Sequence, residues 1–233
     1  MAQAMESAGA TVLRHGLPNQ QDGSRKGVVF PGDLSKDVPA SARTLAQKVL
    51  THAPETSLLV CNAGTCIDTA FPQIPFEDFL HTMHLNVFSP FALVQEFAQH
   101  WIREGIAGRV VLTGSINGKL SEPVHVAYDT SKGAVGAMMR SLSVSLAPHG
   151  IRVNGVAPGL VYTGLTASAL DDDRFRRWME LHTPNGRVPG PETCGGATVF
   201  LLSDAAEHIA GQMLLVDGGM SVWQQPDPPD NWT

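Results

Sequence analysis

Apolar residues along the chain form two alternating patterns: short unbroken runs, and longer stretches with helical spacing. The runs Gly27-Val28-Val29-Phe30, Thr56-Ser57-Leu58-Leu59-Val60-Cys61, Arg109-Val110-Val111-Leu112-Thr113-Gly114, Ile151-Arg152-Val153-Asn154-Gly155-Val156-Ala157 and Met213-Leu214-Leu215-Val216 have the length and character of buried strands. Between them, Lys36 to Thr51 places Leu45, Val49 and Leu50 at helical spacing, Phe76 to Phe97 is a long Phe/Leu/Met/Val-rich helical stretch, and Pro191 to Leu202 predicts another helix. At the N-terminus, residues 1–8 predict a helix that Gly9 stops, and Ala10-Thr11-Val12-Leu13 predicts a strand. Alternating strands and helices predict an α/β fold with a parallel sheet.

The chain's 233 residues suit one sizeable core, and no linker divides them, so a single domain over 1–233 is expected. The composition, 43% hydrophobic and 16% charged, is that of a soluble globular protein rather than a fibrous or disordered one. A net charge of −6 argues against a nucleic-acid surface. No apolar run is long enough to suggest a membrane span, and the first residues lack signal-peptide organisation, which makes the cytoplasm the expected location. Cys61, Cys66 and Cys194 lack paired metal-ligand spacing, so reduced thiols and no metal site are expected. The tail Pro226 to Thr233 is proline-rich and predicted to be irregular.

The chemistry concentrates between Ser115 and Lys132. Tyr128 and Lys132 stand four residues apart, so on a helix they share a face and the ammonium sits beside the phenol. A phenol titrates near pH ~10, too high for efficient proton exchange at neutral pH, and a close cation favours the phenolate. Ser115 follows a buried-strand run, whose C-terminal end would deliver the hydroxyl to a cleft, where ligands of parallel sheets gather. A Tyr-x-x-x-Lys spacing alone is common in helices; its context gives it weight.

That context resembles the short-chain dehydrogenase/reductase family, in which a Ser precedes Tyr-x-x-x-Lys and all three surround a nicotinamide cofactor. The resemblance runs from Gly9 to Gly219 and rests on the joint order of several motifs: Asn62-Ala63-Gly64 after the Cys61 run, Ser115, Tyr128 and Lys132, Pro158-Gly159 after the Ile151 run, and Asp217-Gly218-Gly219. It implies a Rossmann-like doubly wound parallel sheet. Ser115, Tyr128, Lys132 and Asn86 would be catalytic, with Asn86 holding a water on a proton relay. Cofactor contacts would come from Asp33 and Leu34 near the adenine, Asn62, Ala63 and Gly64 along the cleft wall, Tyr128 and Lys132, Pro158 and Gly159 beside the nicotinamide, Val161 at its carboxamide and Thr163 at the pyrophosphate. The plain reading of Asp33 is a turn residue.

Residues 162–187 would form a substrate lid, with Asp171, Asp172 and Asp173 at a helix start and Phe175, Trp178 and Met179 as an apolar stripe over substrate or core. The reaction implied is interconversion of a secondary alcohol (sugar, polyol or hydroxyacyl) and a ketone with NADP or NAD. Arg14, where an acid would favour NAD, tilts the expectation towards NADP. A homo-oligomer, dimer or tetramer, is implied as well.

One departure from the family pattern stands out. Its usual first strand and glycine-rich phosphate turn are missing before the N-terminal helix, which suggests that the chain begins at an internal methionine of a longer protein. The strand concerned lies centrally in such a sheet, so the remaining strands must close the gap or something else must fill it. The competing reading is a non-catalytic oligomeric scaffold that cannot hold a dinucleotide.

Overall fold

The computed structural model describes residues 1–17 and 28–223. The elements run α1 (Ala2–Ser7), β1 (Arg14–Gly16), β2 (Val29–Pro31), α2 (Ala40–His52), β3 (Leu58–Cys61), α3 (Phe76–Met83), a π turn (His84–Phe88), α4 (Ser89–Glu104), β4 (Arg109–Thr113), α5 (Val126–Leu146), β5 (Arg152–Pro158), α6 (Ala167–Leu170), α7 (Asp173–Leu181), α8 (Thr193–Leu202) and β6 (Met213–Val216). Every strand pairing is parallel.

Strands β3-β4-β5-β6 form one sheet in sequence order. Its centre, β4 and β5, is buried on both faces, as their unbroken apolar runs require. Side chains alternate across a strand, so Val110 and Leu112 join a core with α2, α4 and α5, while Val111 packs with Leu201 and Leu202 of α8 and with Met1 and Met5. Helices therefore cover both faces of a Rossmann-like sheet. Trp101 of α4 is fully buried and donates its indole N–H to the Thr56 carbonyl at 2.6 Å. Gly108 gives this ring room: a Cβ there would lie 2.1 Å from it. Asn154 locks the far side of β5, donating to the Ile209 carbonyl at 2.7 Å and accepting from the Gln212 N–H at 3.0 Å.

The remaining strands do not close the sheet. Among the described residues β1 and β2 pair only with each other, through Arg14 with Val29, His15 with Phe30 and Gly16 with Pro31. They are held to the larger sheet through packing: Phe30, Leu34, Leu45 and Ala46 share a core with Leu59, Val94 and Phe97.

Several predicted boundaries shift for local reasons. The strand expected at Ala10–Leu13 forms at Arg14–Gly16, where the ladder with β2 lies. The Gly27–Phe30 strand becomes Val29–Pro31, and Gly27 falls outside the described residues. The helix expected from Lys36 starts at Ala40, because the Asp33 carboxylate folds residues 33–35 into a turn. The long Phe76–Phe97 stretch is helical throughout, with a π turn inserted at His84–Phe88. The Pro226–Thr233 tail lies outside the described residues.

Candidate active site

Strand β4 ends at Thr113, and Ser115 then opens a 3-10 turn at Ile116–Gly118, with its Oγ accepting the Asn117 N–H at 3.1 Å. The turn packs directly on α5, since a Cβ on Gly118 would stand 3.0 Å from the Lys132 carbonyl oxygen. The start of α5 is fixed by a polar knot: Asn117 Nδ2 donates to Asp129 Oδ1 at 2.9 Å and Glu122 Oε1 at 3.1 Å, and the Glu122 N–H donates to Asp129 Oδ2 at 3.0 Å.

Tyr128 and Lys132 share a face of α5, as their spacing predicts. The Lys132 ammonium is buried, lies 5.5 Å from the Tyr128 ring centroid and donates to the Thr113 carbonyl at 2.9 Å. Burial pushes the Tyr128 phenol up to about 12, against the opposing hydrogen bond from Ser115. Burial also pulls Lys132 down to about 8. The net shift of the phenol is thus upward, where the neighbouring ammonium alone would lower it: desolvation dominates both groups, because each charged form has left water for a packed interior.

Asn86, buried in the π turn, accepts from the Thr65 N–H and donates to the Thr65 carbonyl, both at 2.9 Å, and donates to Ser131 Oγ at 2.9 Å. Ser131 in turn donates to the Tyr128 carbonyl at 2.7 Å. Asn86 thus ties the turn after β3 to the helix that carries Tyr128. Asn62, Ala63 and Gly64 are exposed at the C-terminal end of β3. Asn62 Oδ1 accepts from Thr113 Oγ1 at 3.2 Å, and a Cβ on Gly64 would reach to 3.2 Å from Asn86 Oδ1 and 3.8 Å from Lys132 Nζ. These three residues, Ser115, Tyr128, Lys132 and Asn86 therefore converge at one end of the β3–β4 pair.

The other predicted residues sit differently. Pro158 ends β5, and Gly159 packs so closely on Asp217 that a Cβ would lie 2.8 Å from its side chain. Val161 is buried and its carbonyl accepts from Thr166 Oγ1 at 2.6 Å, while the Thr163 N–H donates to the same hydroxyl at 2.9 Å. Asp33 accepts from the Ser35 N–H at 3.0 Å and hydroxyl at 2.6 Å, bonds that hold its carboxyl below the usual carboxylate range. Leu34 is buried in the core, which leaves only its backbone for a ligand. Arg14 Nη2 meets Glu6 Oε2 at 2.7 Å.

A family model described as enoyl-(acyl carrier protein) reductase matches residues 1–221. The chain is 34% identical to an L-rhamnose 1-dehydrogenase (NAD(P)(+)) of Sphingomonas sp. (strain SKA58), over 85% of this chain and 77% of the relative. The chain belongs to the short-chain dehydrogenase/reductase family. It is 32% identical to a glucose 1-dehydrogenase of Gluconobacter oxydans (strain 621H), over 95% of this chain and 81% of that one. Its structure also superposes, with a TM-score of 0.87 and 27% identity, on a gluconate 5-dehydrogenase from Burkholderia cenocepacia J2315 crystallised with NADP and tartrate, covering 95% of this chain and 89% of the other. As a short-chain dehydrogenase/reductase, the protein is an enzyme of the oxidoreductase class.

Sequence reasoning gave no role to four residues beside this candidate site: Cys66, Glu122, His125 and Asp129. Asp129 and Glu122 brace the start of α5, and the His125 ring lies 6.0 Å, centroid to centroid, from that of Tyr128. The one available signal was His125 itself, three residues before Tyr128.

Proposed function

We propose that the protein interconverts a secondary alcohol of a sugar, polyol or sugar acid and the corresponding ketone, with NADP or NAD as hydride carrier. The convergence of Ser115, Tyr128 and Lys132 at the C-terminal end of β4 carries this reading. The names of the relatives, rhamnose, glucose and gluconate dehydrogenases, support the substrate class. The donor set fits the nicotinamide and ribose end of a dinucleotide: the ammonium of Lys132, two hydroxyls, and exposed small residues at Ala63 and Gly64 that permit close backbone approach.

The bound cofactor gives or accepts the hydride, and the chain's own groups position and protonate. In reduction, Tyr128 Oη donates its proton to the substrate oxygen while Ser115 Oγ hydrogen-bonds to that oxygen. Burial favours the phenol form this step needs. In oxidation the same Oη accepts the alcohol proton, with the Lys132 ammonium close to the ring stabilising the phenolate. Lys132 would also hold the ribose hydroxyls of a bound dinucleotide. Asn86 supports the proton path by fixing the turn that faces Lys132.

Cofactor selectivity belongs to the other end. Arg14 would serve the 2′-phosphate of NADP, for which Glu6 competes, and Asp33 and Leu34 would serve the adenine end. Residues 162–187 act as the lid: α7, capped by Asp172, buries none of its side chains and exposes Phe175, Trp178 and Leu181. Exposed Phe88, Phe91 and Val144 on α4, α5 and the preceding turn suit helix-to-helix contacts in a homotetramer, for which light scattering at tetramer mass is the check and monomer mass the contradiction. The free thiols of Cys61, Cys66 and Cys194 suit a reducing compartment, the cytoplasm. No helix among the described residues is long and apolar enough to cross a membrane.

The test is a panel of aldoses, polyols, aldonates and their keto forms with NADP(H) and NAD(H). Turnover of one class, lost in Tyr128→Phe, is expected. A second reading, a cofactor-free scaffold, draws on the separation of β1–β2 from the main sheet; inactivity across the panel together with absent cofactor binding would favour it.

A further inference from the structure

Beside the Ser-Tyr-Lys group, two loops bring together side chains that the proposed hydride chemistry does not use. Cys66 and Asp68 follow the Asn62-Ala63-Gly64 turn, and His125 precedes α5. A backbone hydrogen bond from the Thr69 N–H to the Val124 carbonyl, 3.1 Å, pins one loop to the other. One ligand atom from each of Cys66, Asp68 and His125 lies within 4.8 Å of the other two. Asp68 Oδ1 stands 3.1 Å from His125 Nε2 and 3.4 Å from Cys66 Sγ. On the opposite side of the ring, Glu122 Oε1 is 3.4 Å from the buried Nδ1, which makes no hydrogen bond, and Glu122 is itself held by Asn117.

We propose that Cys66, Asp68 and His125 bind a borderline-soft divalent cation of the Zn²⁺ type. A tetrahedral zinc centre with ligand bonds of about 2.0–2.3 Å sets its ligand atoms about 3.2–3.8 Å apart, and the two separations above approach that range. The chemistry of the set agrees. A thiolate and a carboxylate around a neutral imidazole neutralise a dication, and the thiolate selects a soft or borderline cation over Mg²⁺ or Ca²⁺. Without a cation the same atoms meet by hydrogen bonding and ion pairing, with the Cys66 Sγ–H donating to Asp68 Oδ1 and the imidazole facing Asp68 and Glu122. Glu122, 3.4 Å from the second ring nitrogen, is placed to take its N–H once a cation fixes the ring, as the outer carboxylate of a metal-bound histidine does. Asp68 is exposed, so solvent reaches the fourth position. On binding, the Sγ–H bond of Cys66 breaks, its proton passes to buffer and the S–metal bond forms, with no change in oxidation state.

The experiment is titration of chelator-treated full-length protein with Cd²⁺, followed by the ultraviolet thiolate-to-metal charge-transfer band, with Zn²⁺ and Mg²⁺ as competitors. One cation per chain, displaced by Zn²⁺ and not by Mg²⁺, is expected. Cys66→Ser should remove the band although Cys61 and Cys194 remain, and Asp68→Asn, at an exposed position that leaves the fold intact, should weaken binding at least tenfold. Glu122→Gln should weaken it ~10-fold through ring orientation. Absence of the band under excess Cd²⁺, its persistence in Cys66→Ser, full affinity in Asp68→Asn or equal displacement by Mg²⁺ would each overturn the proposal. The readout is independent of turnover, so it stands apart from the dehydrogenase assay.

Discussion

The two ends of the β-structure are built to different standards. At β3–β6 every chemical group is positioned by buried backbone: Lys132 on the Thr113 carbonyl, Asn86 across the turn at Thr65, and Ser115 in a turn packed on α5. At β1–β2 the corresponding candidates stand on a three-residue parallel pair, and Arg14 and Asp33 are occupied by Glu6 and Ser35. In the proposed function the proton chemistry and the discrimination between cofactors reside in separable pieces. The polar groups of the first are largely buried and hydrogen-bonded, whereas the second rests on a short ladder and on ion pairs with one exposed partner each.

Perturbations of the first piece should be severe and those of the second mild. Tyr128→Phe removes the transferable proton and should lower kcat by about a hundredfold to ten-thousandfold, with an unchanged circular dichroism spectrum. Trp101→Ala empties a fully buried site against Gly108 and should cost ~3–5 kcal/mol in denaturant unfolding. Asn154→Ala strands the Ile209 carbonyl and the Gln212 N–H, at about 1–3 kcal/mol. Arg14→Ala should act on the KM for NADPH and leave kcat unchanged, the smallest effect on turnover of the set. A fall in kcat from Arg14→Ala would erase the contrast.

Titration sharpens the picture of the buried end through Tyr128 and Lys132, both shifted by burial. Lys132 ionises at about 8 in the folded chain against 10.5 when unfolded. Between those values the unfolded chain holds a proton that the folded one has released, so this group makes stability rise with pH. Tyr128 runs the other way, keeping its proton to about 12 against 10.0 unfolded, so its contribution falls from pH 10 upward. Stability of wild type relative to Lys132→Met should therefore increase from pH 8 to pH 10; a flat difference would show that burial does not govern this ammonium.

The buried end was also the part legible in the sequence. Unbroken apolar runs and four-residue helical spacing are local signals: they put Tyr128 and Lys132 on one helix face and Ser115 at a strand end, and the family resemblance then implies that the three meet. Where a residue's partner comes from elsewhere in the chain, the same signals fall silent. Arg14 meets Glu6 across the turn between α1 and β1, and His125 meets Cys66 and Asp68 across two loops. The stripe of α7 shows a related limit: Phe175 and Trp178 have the spacing of a core helix, yet both are exposed, because periodicity reports an apolar face and not what covers it. For Asp33, ordinary turn chemistry describes what its carboxylate does here.

The most direct measurement is a fluorescence titration of the full chain with NADPH and NADH, repeated in Lys132→Met and Arg14→Ala. Saturable binding that weakens far more in Lys132→Met than in Arg14→Ala is predicted, since in the proposed function the buried end holds the nicotinamide and ribose. No saturable binding at millimolar cofactor, or a greater loss in Arg14→Ala, would contradict that assignment.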